Sequence, residues 1–224
     1  MTHRSSSINA AILTISLLCA AAAQANLLTN GSFETGNFVN QGFDTMSLPA
    51  NSTAIAGWTV VTDTTAWIGP TNPFGLSASD GSYFLDLTNY ETGAPFAGMS
   101  QSIVTTPGAT YLLSFDLGGS TFWGRPDSIT ASAAGTSATF TTGAASNGTP
   151  NNDWYHESMQ FVASAATTVI TLQGSAGIKY IGLDNASVDL ISAPVPEPSA
   201  WGLMLCGLGV IGLVARRRRS APQA

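Results

Sequence analysis

Between Thr121 and Asp127 the chain reads Thr-Phe-Trp-Gly-Arg-Pro-Asp, which puts a flat indole, a guanidinium and a carboxylate within seven turn-rich residues. Sugars present C–H faces that stack on aromatic rings while polar side chains take their hydroxyls, so Trp123, Arg125 and Asp127 form a candidate carbohydrate contact. The same tryptophan has a plainer use, folding its own loop onto the edge of a sheet. Trp154 and Tyr155, which follow the turn signal from Ser146 to Asp153, form a second candidate patch. Trp58 and Trp67 stand in strand-like runs beside Val60 and Ile68 and are expected in the core.

Catalytic sets are thinner. A serine triad needs a histidine base, and His156 is the only histidine after His3; no G-x-S-x-G elbow accompanies it. It alternates with Ser158 and Gln160, the pattern of an exposed strand face. Glycoside hydrolysis needs two suitably spaced carboxylates, and twelve lie between Glu34 and Asp189, but their separation cannot be read from sequence. Asp80, Asp86, Asp116 and Asp127 all have ordinary turn or strand uses. Gly118-Gly119-Ser120 follows a strand without opening a helix, so it makes no phosphate cradle.

Which elements position these residues depends on where the domain begins and ends. His3 and Arg4, an apolar run from Ile8 to Ala23 and the A-x-A pattern at Ala23 and Ala25 predict a secretory signal peptide over 1–25, and with it passage through the secretion translocon. At the other end, Trp201 to Ala215 gives 15 uncharged residues. As a helix they span about 22 Å, short of the ~30 Å hydrocarbon core. This short transmembrane segment is followed by Arg216, Arg217, Arg218 and Arg219, which hold the basic tail 216–224 in the cytoplasm.

The domain between runs over 26–192, with 193–200 as a linker. Cys19 and Cys206 both fall outside it, which excludes disulfides, thiolate metal sites and a cysteine nucleophile there. With one histidine and no cysteine, zinc is disfavoured too. Arg125 and Lys179 are its only basic residues against twelve acids, a net charge near −10. Such a domain repels nucleic acid and anionic membranes and is compatible with neutral glycans and divalent cations. A membrane is met only through the C-terminal segment.

Strand-like runs recur at Thr59 to Val61, Tyr83 to Leu87, Ser100 to Val104, Tyr111 to Leu117, Ser128 to Ala133, Ala138 to Thr141, Ser158 to Ala163, Thr168 to Gln173 and Tyr180 to Leu190, divided by Gly, Pro and Asn-rich turns. Tyr111, Leu113, Phe115 and Leu117 share one face, as do Thr168, Ile170 and Leu172. Tyr155, Met159 and Phe161 likewise alternate inward. No stretch shows helical apolar spacing over three turns. The expected fold is all-β, an antiparallel two-sheet jelly-roll sandwich.

Two resemblances add to this. Val195-Pro196-Glu197-Pro198, an apolar segment opening at Trp201 and the terminal arginine cluster resemble the PEP-CTERM sorting signal of Gram-negative bacteria. That implies recognition through Pro196, Glu197 and Pro198 by an exosortase, removal of the apolar tail, and delivery of an exported protein to the cell surface, outer membrane or exopolysaccharide matrix. The domain motifs Asn26 to Glu34, Gly57-Trp58-Thr59-Val60, Trp67-Ile68-Gly69, Asp80 to Leu87, Gly108 to Tyr111 with Ser114-Phe115-Asp116, and Leu183 to Val188 resemble, in that order, the choice-of-anchor C family. It is similar in turn to plant cell-wall proteins of unknown function and to galactose-binding-like carbohydrate-binding modules. The resemblance implies a structural calcium joining first and last strands through Glu34 and Asp184. Ca²⁺ takes six to eight hard oxygens, and two anionic side chains distant in sequence would staple the strands; a solvated edge for Glu34 and a turn hydrogen bond for Asp184 are the plainer uses. The expected function is a non-catalytic polysaccharide-binding module, with a purely structural matrix component and a glycoside hydrolase as alternatives.

Overall fold

A computed structural model of the chain describes residues 26–120, 122–123, 126–143, 153–193 and 207–211. Eleven strands run in the order β1 (Thr45–Leu48), β2 (Thr59–Val61), β3 (Thr65–Ile68), β4 (Phe84–Asp86), β5 (Gly98–Val104), β6 (Thr110–Gly119), β7 (Ser128–Ala133), β8 (Thr136–Thr141), β9 (Asp153–Val162), β10 (Thr167–Ala176) and β11 (Gly182–Ser192). They form two sheets with antiparallel pairing throughout. One has six strands in the order β1-β3-β4-β11-β6-β9 and the other five in the order β2-β5-β10-β7-β8. The jelly-roll sandwich expected from strand spacing is the fold the chain adopts.

Alternation explains most of the core. Tyr111, Leu113, Phe115 and Leu117 of β6 face Ile170 and Leu172 of β10 and Ile129 and Ala131 of β7 across the sandwich, all buried. Trp58 and Trp67 join them, as the sequence predicts, and their indole N–H groups donate to Asn30 O at 2.9 Å and Phe33 O at 3.1 Å. The first residues of the domain are thereby tied to the core. Asn26 is bound further still: its Oδ1 accepts from Val188 N on β11 at 2.9 Å and its Nδ2 donates to Ala186 O at 3.2 Å.

Two strands had no full sequence signature. β1 is four residues long, and in β3 all of Thr65-Ala66-Trp67-Ile68 are buried, so no polar face reports its period. The cause is that the six-stranded sheet is covered on both faces. Gly69 to Tyr83 crosses its outer face and, with Tyr180, builds a second apolar cluster of Ala66, Ile68, Leu76 and Phe84, against which Phe74, Trp123 and Trp154 pack. Room for this roof comes from Gly118 and Gly182: a Cβ on Gly182 would lie 2.3 Å from the Tyr180 hydroxyl and 2.7 Å from Gly118 Cα. Burial of Ser114 and Asp116, on the face of β6 opposite its apolar set, has the same origin.

Gly207 to Ile211 are helical and exposed, and among the described residues no helix is long and apolar enough to cross a membrane. The rest of 201–215, the cleavage pattern at Ala23 and Ala25, Pro196, Glu197 and Pro198, Arg216 to Arg219, and Arg125 lie outside the described residues.

Candidate functional site

Loops above the β1–β3–β4 end of the six-stranded sheet enclose a cleft of about 300 Å³. Its walls are Phe43, Phe74, Tyr90, Trp123 and Tyr180, with Leu76, Thr45 and Asp86 below and Lys179 at its margin. Phe74 meets Trp123 edge-on at 6.0 Å and Tyr90 at 5.5 Å. Three of these residues hold left-handed backbones, Phe43 at φ 56°, Tyr90 at 67° and Lys179 at 62°. For side chains of this size that conformation costs about 1–2 kcal/mol each. Phe43 is also 73 % exposed, an aromatic ring held in water by a strained main chain.

Carboxylates position the loops. Asp44 Oδ2 accepts from the Thr71 amide and hydroxyl, both at 2.8 Å, and so holds the start of the roof against β1. Asn72 then closes the turn that carries Phe74 and Leu76, donating to Gly69 O at 2.8 Å and Leu76 O at 3.0 Å. Asp86, fully buried at the end of β4, accepts from the amides of Thr88 (2.9 Å), Tyr90 (3.2 Å) and Ile181 (3.0 Å), and thereby joins the loop carrying Tyr90 to the one carrying Lys179 and Tyr180. Burial pushes its carboxyl up to about 6, with those amide bonds pulling the other way.

Among the described residues, two buried polar atoms of the cleft, the Tyr90 hydroxyl and the Trp123 indole N–H, meet no hydrogen-bond partner. Thr45 Oγ1, whose proton goes to Gly42 O at 2.9 Å, lies beside the Tyr90 hydroxyl without meeting it in bonding geometry. Burial raises the Tyr90 phenol to about 12, Thr45 opposing the rise and the Asp86 charge adding to it. A buried donor left unmade costs about 1–3 kcal/mol.

Of Trp123, Arg125 and Asp127, Trp123 lines this cleft and Arg125 lies outside the described residues. Asp127 is buried at the start of β7, where its main chain bonds to Thr142, and it does not line the cleft. Trp154 stands beside Phe84, its indole donating to Ser77 O at 3.0 Å, and so clips the roof from the β9 side. Phe43, Phe74, Tyr90 and Lys179 were not singled out from the sequence, because four separate loops supply them.

Glu34 and Asp184 converge on the same roof. Glu34 Oε1 accepts from the amides of Ser82 and Tyr83 at 2.7 Å each, and Asp184 Oδ2 from those of Ser79 and Asp80 at 2.7 and 2.9 Å. Asp184 Oδ1 takes the Asn185 amide at 2.7 Å. N–H donors therefore already face three of their four oxygens. Among the described residues no group of three or more His, Cys, Asp or Glu side chains is arranged to hold a metal ion. Burial pushes the Asp184 carboxyl up to about 7, against the pull of these amides and with the neighbouring Asp80 charge raising it further.

Beside Asp184 in register stands Asp116, and beside that His156, whose Nδ1 lies 2.7 Å from Asp116 Oδ1. Ser79 Oγ donates to Asp116 Oδ2, which also accepts from Asn185 Nδ2 at 3.0 Å. Here aspartate, not histidine, occupies the middle of the serine–aspartate–histidine chain, so His156 meets Asp116 and not the Ser79 hydroxyl, which is the reverse of the order a serine triad needs. As expected of its strand position, His156 is largely solvent-exposed, at 66 %. Asp116 and Asp184 are both buried and both bound to Ser79, which makes them a clasp for the roof.

A family model described as "Protein of unknown function (DUF642)" matches residues 26–179, and one described as "PEP-CTERM protein-sorting motif" matches residues 194–219. The chain has no match among curated proteins. Solved structures similar to it include TmCBM61 in complex with beta-1,4-galactotriose (18% identity, TM-score 0.45, 74% of this chain and 99% of that one). Also similar are the CBM22-1 xylan-binding domain of Paenibacillus barcinonensis Xyn10C (18%, 0.42, 78% and 100%) and a family 35 carbohydrate binding module from Clostridium thermocellum (13%, 0.40, 66% and 99%).

Proposed function

Because this chain belongs to the DUF642 family and carries a PEP-CTERM sorting motif, we propose that it is a non-catalytic polysaccharide-binding protein, sorted by an exosortase to the cell surface or extracellular matrix, that holds a glycan in the cleft of Tyr90 and Trp123. The observation that carries the reading is the pair of buried donors, Tyr90 O–H and Trp123 N–H, that meet no partner among the described residues, in an aromatic cleft with strained walls. Sugar hydroxyls supply the acceptors that these donors lack, and sugar C–H faces supply the surface that Phe74 and Trp123 stack on. Lys179 adds a cation at the margin.

A glycan array with the full chain in detergent tests it. Binding of one glycan class that falls about 30-fold in Trp123→Ala, the loss of a central aromatic contact, supports the cleft. No retained glycan, or retention unchanged in that variant, overturns it. The sorting half has its own test. Replacing Pro196, Glu197 and Pro198 by alanine is expected to leave the protein in the inner membrane, and normal delivery of that variant counts against exosortase recognition.

A further inference from the structure

Each sheet of a sandwich ends in two edge strands, whose outward N–H and C=O groups are open to another chain unless something covers or charges them. Three of the four edges here are managed. Beside β1, Gln41 N–H donates to Thr45 O at 2.8 Å and the Gln41 side chain takes Ser47 N–H at 2.9 Å. Beside β2, Val60 exchanges bonds with the segment before it, its amide going to Ser52 O at 3.0 Å and its carbonyl taking Asn51 N–H at 2.8 Å. β9 carries Asp153, His156 and Glu157.

Among the described residues, the fourth edge, β8, has no such device. Its sequence, Thr136-Ser137-Ala138-Thr139-Phe140-Thr141, contains no charge and no proline, is mostly exposed, and belongs to a sheet with no charged residue in any of its five strands. It leaves β7 through a two-residue turn, Ala134-Gly135, at φ 50° and 80°, so that Thr136, Ala138 and Phe140 bond inward to Ala133, Ala131 and Ile129. The main-chain groups of Ser137, Thr139 and Thr141 therefore point outward, and among the described residues they meet no partner.

We propose that β8 is a self-association edge, pairing antiparallel with β8 of a second copy about a two-fold axis at Thr139. Thr139 then faces its own counterpart and Ser137 faces Thr141, making about six main-chain hydrogen bonds and three hydroxyl-bearing cross-strand pairs. A second copy is the occupant the chemistry favours. The domain carries twelve acids against two bases, and two such bodies repel wherever charge meets charge. Along an uncharged edge a like molecule is approached at a lower cost of that kind. Since the β2 edge of the same sheet is covered, pairing closes at a dimer of ten continuous strands and does not propagate.

Sedimentation of the full chain in detergent, up to about 1 mM, tests this. The expected result is a monomer–dimer equilibrium whose midpoint rises about tenfold or more in Thr139→Lys, which sets two cations face to face, and is kept in Thr139→Val, which preserves strand propensity. In a background with Cys19 and Cys206 replaced by serine, Thr139→Cys is expected to form a disulfide-linked dimer, the paired Cα atoms lying about 5.5 Å apart, whereas Ser100→Cys, inside the same sheet, forms none. A monomer throughout, or a dimer indifferent to Thr139→Lys, overturns the proposal.

Discussion

The two sheets share one core and present opposite outer faces. On the six-stranded sheet, long connections cross the outside, and aspartates and a glutamate catch their amides: Asp44 at Thr71, Asp86 at Thr88 and Ile181, Asp184 at Ser79, Glu34 at Ser82; Asp116 takes the Ser79 hydroxyl. The five-stranded sheet is bare among the described residues. In register across it, Thr59, Ser100, Thr171, Ser132 and Ser137 make a row of hydroxyls from one edge to the other. The contrast teaches that Glu34, Asp44, Asp86 and Asp184 serve this domain as acceptors for loop backbone. Its anionic character therefore marks where loops are held, and the cleft is found there.

The contrast can be broken most sharply at the glycine notch. Gly182→Ala pushes a Cβ to 2.7 Å from Gly118 Cα, main chain that cannot move aside cheaply, and is expected to cost about 3 kcal/mol in denaturant unfolding. Ser132→Ala on the bare sheet should stay within about 0.5 kcal/mol. Equal costs would mean that the roof is no tighter than the open face.

Next comes pH. Folded Asp86 and Asp184 titrate at about 6 and about 7, above the ordinary carboxylate range, so the native state holds protons that the unfolded chain has released. Their contribution is fully present below about pH 4 and is lost as pH rises through 6 and 7, on the order of a few kcal/mol in all. Melting temperature is expected to fall across this window, and the fall should be shallower in Asp184→Asn. A flat profile in the parent chain would show that the roof amides hold both groups ionised throughout.

Tyr90→Phe separates binding from folding within the cleft. Removing an unpartnered buried hydroxyl should raise stability by about 1 kcal/mol while lowering glycan affinity about fivefold. A loss of stability would mean that the hydroxyl has a partner in the folded domain. The smallest effect is expected from chelation. With N–H donors on three of the four Glu34 and Asp184 oxygens, removing calcium should leave the melting temperature within about a degree, and a large drop would show that these two carboxylates hold calcium as well.

Much of the bare sheet was legible in the sequence, because a strand exposed on one face must alternate: β7 was readable residue for residue, and β10 through Ile170 and Leu172. The roofed sheet was less so. β3 buries both faces and so reads as a short mixed run, and the clasps are side-chain bonds to main-chain amides, which carry no residue pattern at their receiving end. Trp123 announced the cleft from a turn-rich stretch. Phe43, Tyr90 and Lys179 did not, since left-handed backbone is forecast by Gly, Asn or Asp, and only their neighbours Asp44 and Asn89 gave that hint.

The staple at Asn26 has a consequence for the order of events. Its distant partners, Ala186 and Val188, lie 160 and 162 positions downstream, so the first described residue of the domain has only the neighbouring Leu28 amide to hold until the closing strand has emerged. Whatever route carries the chain, the sandwich can be sealed only after its whole length is available, and a product truncated before β11 would leave both its first segment and its six-stranded sheet open.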